Sequence, residues 1–235
     1  MKNYKLLRVS TGIPNLDGVI EGGYVKGSVN LISGGPGTCK TIFAMQFLMD
    51  GMKKGEAAIY ITFEEKKNKM YEDMLKFGWD LAKYEKDGKF VFLEYNPEQV
   101  RKMLNEGGGI VEAIVEKIKA KRLVIDSITS FALLYEDTLT KKEACISLFD
   151  LICNWDCTAV LVSQGTYTHE DSILSAALEF EVDGILLVYH VKIQGKRIRA
   201  FEVLKMRGTE IPEHTMSFKV TETGVSIDPK KLVVF

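Results

Sequence analysis

The sequence predicts an α/β fold: a mostly parallel, twisted sheet with helices on both faces, extended at its C-terminal end by antiparallel hairpin strands. Short apolar runs at 29–33, 57–63, 89–94, 123–126 and 158–163 alternate with stretches of helical periodicity. That is the pattern of strand–helix–strand units whose successive strands lie parallel. The first run passes directly into the glycine-rich turn Gly34-Gly35-Pro36-Gly37, after which helical periodicity takes over at 41–54. Beyond Gly184 the alternation gives way to strands at 185–191, 198–204 and 216–220, with a turn at Gln194 and Gly195. Such closely spaced strands read as hairpins added to a sheet edge.

The remaining elements follow in order. A helical stretch runs on from the second strand to Phe77, and Asn96 with Pro97 has the form of an N-cap and first helical residue. The helix so opened is interrupted at 107–109 and resumes over 110–121, and a last helix is expected at 141–154. A chain of 235 residues is long enough for one sizeable core. No linker, repeat or composition shift marks an internal boundary, so residues 1–235 are expected to form a single domain.

Charge is balanced, with 31 basic against 32 acidic residues, so no electrostatic reason exists to expect a nucleic-acid partner. No apolar run approaches the roughly 20 residues of a membrane helix. The opening MKNYKLLRVSTG lacks the apolar segment of a signal peptide, and a cytoplasmic protein without membrane association is expected. Cys39, Cys145, Cys153 and Cys157 show no CxxC spacing, so free, mostly buried thiols are expected rather than a metal site.

The chemistry-bearing residues begin with Gly34-Gly35-Pro36-Gly37-Thr38-Cys39-Lys40-Thr41, which follows a strand and opens a helix. There, backbone N–H groups and a helix N-terminus cradle phosphates. Lys40 is expected on the β- and γ-phosphates and the Thr41 hydroxyl on Mg²⁺, which makes ATP and Mg²⁺ the expected cofactors. Cys39 stands where a glycine usually precedes the lysine. If the backbone there takes φ > 0, a side chain costs about 1–3 kcal/mol and its Cβ crowds the phosphates.

Asp126 ends the apolar run Leu-Val-Ile-Asp at the carboxyl end of a buried parallel strand, where ligands sit in open α/β sheets, and is expected to hold Mg²⁺ through water. Glu64 and Glu65 follow the second strand and emerge on the same edge, with Glu64 expected as the general base for an attacking water. Gln164, at the end of the fifth strand, is placed to sense the γ-phosphate. Lys205 and Arg207 alternate on one face of a late strand, where two cations projecting together would stabilise charge on a transferring phosphoryl group.

Taken together these segments resemble the RecA superfamily of P-loop NTPases, specifically its KaiC-like proteins, over nearly the whole chain. The resemblance rests on Ser10-Thr11-Gly12-Ile13-Pro14 with Leu16-Asp17 and Gly22-Gly23, on 34–41, and on Thr62-Phe63-Glu64-Glu65. It rests equally on Val124-Ile125-Asp126-Ser127 and Lys205-Met206-Arg207-Gly208-Thr209. It implies that Glu64 activates water and that Lys205 and Arg207 reach the nucleotide of a neighbouring subunit. Assembly into a homo-oligomeric ring, commonly a hexamer, follows from that, with an unknown protein partner reading the nucleotide state. In an alignment on Asp183, Glu179 and Phe180 take the places of the Ser and Thr that clock proteins of this type phosphorylate, so autophosphorylation there is not expected.

The leading expectation is therefore a Mg²⁺-dependent ATP hydrolase. A nucleotide-gated switch with little turnover is the alternative that Cys39 favours. A recombinase acting on DNA is disfavoured, because residues 143–191 contain no Lys or Arg. The acidic residues of that stretch are Glu143, Asp150, Asp156, Glu170, Asp171, Glu179, Glu181 and Asp183. Phosphoryl transfer to a protein hydroxyl uses the same loop, and only the products distinguish it from hydrolysis.

Overall fold

A computed structural model describes residues 6–96, 99, 102–103, 106–107, 109–132, 135, 137–165 and 181–234. Strands β1 (Arg8–Val9) and β2 (Tyr24–Val25) form a small antiparallel pair. The main sheet contains β3 (Val29–Gly34), β4 (Ala57–Thr62), β5 (Phe90–Glu94), β6 (Ala120–Asp126), β7 (Thr158–Gln164), β8 (Gly184–Ile193), β9 (Lys196–Met206), β10 (Met216–Thr221) and β11 (Gly224–Leu232). Its order is β11-β10-β9-β8-β3-β7-β6-β4-β5. The run from β8 to β5 is parallel, and β9, β10 and β11 continue it antiparallel.

The helices are α1 (Leu16–Val19), α2 (Lys40–Lys53), α3 (Lys67–Leu75), α4 (Leu81–Lys86), α5 (Gly109–Ile118), α6 (Ile128–Ala132) and α7 (Thr138–Asn154). Because side chains of a strand alternate between faces, the central parallel strands feed two cores. Ala58, Tyr60, Val124, Val160 and Leu186 pack with Phe43, Phe47 and Leu48 of α2 and with Met70 and Met74 of α3. Ile59, Ile61, Leu123, Ile125, Leu161 and Ile185 pack on the other face with Val111 and Val115 of α5 and Leu148 and Ile152 of α7. Burial of each large side chain contributes about 1.5–3 kcal/mol, and the doubly covered sheet explains why its strands read as continuous apolar runs.

Several boundaries differ from expectation for identifiable reasons. The helix expected over 110–121 stops at Ile118, because Lys119 takes a left-handed φ of 52° and Ala120 already belongs to β6. Helix α7 starts before 141, since Asp137 caps it by accepting the Thr140 N–H at 2.9 Å. The expected N-cap at Asn96 is present: its carboxamide accepts Gln99 N–H at 2.9 Å while the Gln99 side chain accepts Asn96 N–H at 2.8 Å. Pro97 and most of the helix beyond it lie outside the described residues. The turn at Gln194 and Gly195 has positive φ at both positions, 48° and 77°, as a two-residue hairpin requires. Strand β11 was not expected, because Pro229 sits within it; Pro is tolerated there since β11 is the sheet edge.

Arg122 joins the N-terminal segment to the sheet. Only 1% exposed, it donates to Ser10 O at 2.9 Å and Phe47 O at 2.7 Å, and pairs with Asp50 at 3.0 Å and Glu56 at 2.6 Å. The Ser10–Pro14 motif is thereby docked on α2, with Asp17 accepting both Thr11 N–H and Thr11 Oγ1–H. Cys145 and Cys157 are buried free thiols, Cys39 is half-buried and Cys153 is exposed, so burial of the thiols is less general than expected. Among the described residues no helix is long and apolar enough to cross a membrane.

Candidate functional site

The parallel register brings the ends of four strands to one level. Gly34 of β3 lies beside Gln164 of β7, and Thr62 of β4 lies beside Asp126 of β6. Every residue that leaves these strands at its carboxyl end therefore emerges on one edge. Gly34 is itself required: a Cβ there would stand 2.0 Å from Val188 O of the adjacent β8. The loop then turns back on itself, with Thr38 Oγ1 donating to Gly35 O at 2.8 Å.

Cys39 is the N-cap of α2 and adopts φ 74°, ψ 19°, the left-handed region. The positive φ considered from sequence is thus the observed backbone, and it accounts for the usual glycine. Lys40 is buried, and its Nζ donates to Gly35 O at 2.9 Å, so the ammonium closes over its own loop. Burial lowers its pKa, while the negative charge of Asp126 and the nearby Cys39 oppose that shift. The α2 N-terminus, the loop N–H groups and this ammonium present donors to one concavity, an arrangement that suits phosphate.

Asp126 is 9% exposed and accepts from Thr41 Oγ1 at 2.7 Å and from Tyr60 OH at 2.9 Å, both on Oδ2. Burial raises its pKa, an effect that these two hydrogen bonds and Lys40 counter. Among the described residues no cluster of three His, Cys, Asp or Glu could hold a metal by itself. One buried carboxylate beside one hydroxyl, both hard oxygen donors, instead matches how Mg²⁺ is held when phosphates and water complete its shell. The residues present fit the ion.

Glu64 and Glu65 leave β4 with their N–H groups on Thr62 Oγ1, at 3.3 and 3.1 Å. Their side chains then diverge. Glu64 accepts from Ser130 Oγ of α6 through Oε1 and from Gln164 Nε2 at 3.4 Å through Oε2. Glu65 turns toward α3, where Lys69 Nζ is 3.7 Å away. Gln164, the last residue of β7, also donates its N–H to Thr129 Oγ1 at 2.8 Å. Tyr60, Thr129 and Ser130 were not anticipated from sequence. Tyr60 shares the strand parity of Thr62, and its meaning follows only from the β4–β6 pairing that sets Thr62 beside Asp126.

Lys205 and Arg207 are not brought to this edge. Met206 lies opposite Gly184, which lies opposite Asn30, so the end of β9 sits at the start of β3. Four residues of strand, roughly 13 Å, separate that level from Gly34. Met206 between the two cations is buried, while Lys205 is half-buried and Arg207 exposed. The register shifts at Leu204, and Arg207 lies past the end of β9 with its N–H on Asp183 O at 2.8 Å and its guanidinium 3.4 Å from Asp183 Oδ1. This placement sets the pair toward the opposite end of β3 from the phosphate loop of the same chain.

Beside the loop, Pro36 and the β8–β9 hairpin residues His190, Lys192, Gly195 and Arg197 bound a cleft of about 510 Å³. Lys192 and Arg197 are directly opposed across the hairpin, and burial together with Arg197 and Arg199 lowers the His190 pKa.

A phosphate-type loop at the centre of such a sheet, with a strand-end carboxylate beside it, defines a RecA-like nucleotide-binding α/β protein. Comparison with known proteins narrows this. The family model "ATPase: KaiC" matches residues 9–232, and the chain belongs to that family. It is 32% identical to a UPF0273 protein of Methanopyrus kandleri over 97% of this chain and 94% of the relative. It is 34% identical to a UPF0273 protein of Thermotoga maritima over 95% of this chain and 97% of the relative. The circadian clock protein KaiC3 of Synechocystis is 30% identical over 94% of this chain, which spans 46% of that longer protein. The crystal structure of a KaiC-like protein from Pyrococcus horikoshii superposes with a TM-score of 0.86 at 32% identity, covering 96% of this chain and 100% of that one.

Proposed function

We propose that this KaiC-family protein is a Mg²⁺-dependent ATP hydrolase whose active site is completed between subunits. The observation that carries the reading is the convergence of the phosphate loop, the Thr41–Asp126 pair and the Glu64 carboxylate on one sheet edge. Lys40 exchanges the Gly35 carbonyl for the β- and γ-phosphates, and the loop N–H groups hold the remaining phosphate oxygens. Thr41 and Asp126 would hold Mg²⁺, which supplies neutralisation of charge on the phosphates. Glu64 orients a water and takes its proton on a carboxylate oxygen as the water oxygen bonds the γ-phosphorus. The bond to the β–γ bridging oxygen breaks and ADP leaves, so the products are ADP and inorganic phosphate. Gln164, between Gly34 and Glu64, is placed to register loss of the γ-phosphate.

Lys205 and Arg207, at the end of the sheet away from their own loop, act on the nucleotide of a second copy. An interface of that kind is head-to-tail, and the hexameric ring of the sequence-based expectation closes it. The output is regulatory or signalling, passed to a protein partner in the cytoplasm. Nucleic acid is not favoured as that partner. Phosphoryl transfer to protein is not expected at Glu179 and Phe180, which lie outside the described residues. A second reading, a nucleotide-gated switch with little turnover, is favoured by the left-handed Cys39 in the loop.

Phosphate release from Mg-ATP by wild type, Lys40→Ala and Glu64→Gln tests the first reading. Wild type is expected to turn over and both variants to lose turnover, Glu64→Gln while still binding nucleotide. A wild type that binds Mg-ATP and releases no phosphate sinks hydrolysis and leaves the switch. Mixing Lys40→Ala with a Lys205→Ala/Arg207→Ala double variant tests the shared site. Each alone is inactive, and mixed assemblies regain activity only if the cations act in trans.

A further inference from the structure

A general base must be aimed before the substrate arrives, yet Glu64 is an exposed, flexible side chain on the loop after β4. What aims it is found on α6. That helix springs from the residue after Asp126 and is rooted by Ile128 and Phe131, each 0% exposed. Ser127, itself 1% exposed, caps it: Ser127 Oγ accepts Ser130 N–H at 3.3 Å and lies 2.9 Å from Ser130 Oγ. Ser130 is thus tied through both its N–H and its Oγ to the buried Ser127 hydroxyl, and its Oγ donates to Glu64 Oε1. The preceding residue of the same helix, Thr129, holds the Gln164 N–H at 2.8 Å. One short helix therefore sets the Glu64 carboxylate and the end of β7 in a common frame with Asp126.

We propose that Ser130, steadied by Ser127, is the positioning residue for Glu64, holding one carboxylate oxygen so that the other is presented to water at the phosphate edge. This rests on the hydrolase reading and adds to it a group that touches neither nucleotide nor metal. A hydroxyl bond to Oε1 leaves Oε2, on which the Gln164 side-chain N–H donates at a long 3.4 Å, to face water and accept a proton. Removing it frees the side-chain torsions of Glu64, and a misplacement of about 1 Å in a reacting group costs up to roughly 100-fold in rate.

The test is the turnover number and nucleotide dissociation constant of wild type, Ser130→Ala, Ser130→Thr, Glu64→Gln and the Ser130→Ala/Glu64→Gln double variant. Ser130→Ala is expected to lower kcat by on the order of 10- to 100-fold with unchanged nucleotide affinity. Ser130→Thr, which keeps the hydroxyl, is expected to retain most of the rate. In the Glu64→Gln background Ser130→Ala should lower the residual rate no further, because the two residues act as a unit. An active wild type with Ser130→Ala at the same kcat, an equal fold-loss in both backgrounds, or a loss that appears as weaker nucleotide binding overturns this inference and leaves the hydrolase reading in place. A wild type that binds Mg-ATP without releasing phosphate overturns both.

Discussion

Replacing Cys39 by glycine removes a side chain from a backbone position at φ 74°, ψ 19°. A Cβ in the left-handed region costs roughly 1–2 kcal/mol, and the greater freedom of glycine in the unfolded chain returns about 0.5–1 kcal/mol of that. The Cys39 side chain contributes little else. It packs only partly on the first core, and its thiol lies 3.7 Å from Gly37 O. Net stabilisation by Cys39→Gly of about 0.5–1 kcal/mol follows, and for a chain of this size that raises Tm by about 1–4 °C. Cys39→Ala separates the causes, because it deletes the sulfur and keeps the Cβ. Thermal melts in reductant, without nucleotide, should rank Cys39→Gly above wild type and Cys39→Ala at or below it. If Cys39→Gly melts no higher than Cys39→Ala, the backbone at this position is not strained by its side chain and the argument fails.

Tyr60→Phe keeps the ring, which stacks on Phe92 at 5.4 Å, and deletes the hydrogen bond to Asp126. It should cost about 1.5–3 kcal/mol, read as a lower denaturation midpoint with unchanged slope, and an unchanged midpoint would show that bond to be of no consequence. Burial raises the Asp126 pKa, so the native state holds that proton more tightly than the unfolded chain. Stability from this source is greatest below the unfolded value of about 4 and is lost as pH rises through the folded value. In metal-free buffer Asp126→Asn should therefore gain Tm relative to wild type as pH is raised from about 4 toward neutrality, whereas parallel curves would contradict the shift. Arg122→Ala leaves Asp50 and Glu56 without their buried partner. A loss of roughly 3 kcal/mol is expected in chemical denaturation, at the low end for a buried pair because Asp50 keeps Lys54 and Glu56 is partly exposed. Arg122→Met, which restores much of the packing, should lose less, and equal losses would assign the effect to the lost ion pairs and hydrogen bonds rather than to packing.

The legible part of the site consisted of residues whose type and place in the chain carry the signal together. Lys40, Thr41, Asp126 and Glu64 each sit at a strand end or loop fixed by the alternation of apolar runs, and parallel register did the rest. Tyr60 was hidden because an aromatic residue inside an apolar strand looks like core, and its hydroxyl gains meaning only once β4 and β6 are known to be neighbours. Ser130 was hidden because α6 spans only Ile128–Ala132, too short to show periodicity. Lys205 and Arg207 were legible as an alternating pair, with Met206 buried between them, but their level relative to the loop needs the register of β9 on β8 and of β8 on β3. In the fold, β11 escaped notice because of Pro229, and the end of α5 was misjudged by a left-handed lysine that no pattern announces.

Gln46, on α2, has a consequence for how the protein reaches its native state. Its carboxamide is 6% exposed, donates to Gly12 O and Val225 O, and accepts Val225 N–H, partners 34 and 179 positions away in sequence. Gly224 must lack a Cβ for this, since one would stand 2.3 Å from Gln46 Oε1. Until both distant segments arrive the Gln46 amide bonds water, and an arrangement that buried it without them would cost about 1–3 kcal/mol. Contacts of such long sequence separation form late and slow the search. The helix that presents the phosphate loop is consequently among the last to be locked, and a refolding chain should acquire nucleotide affinity only in the phase in which β11 closes the sheet.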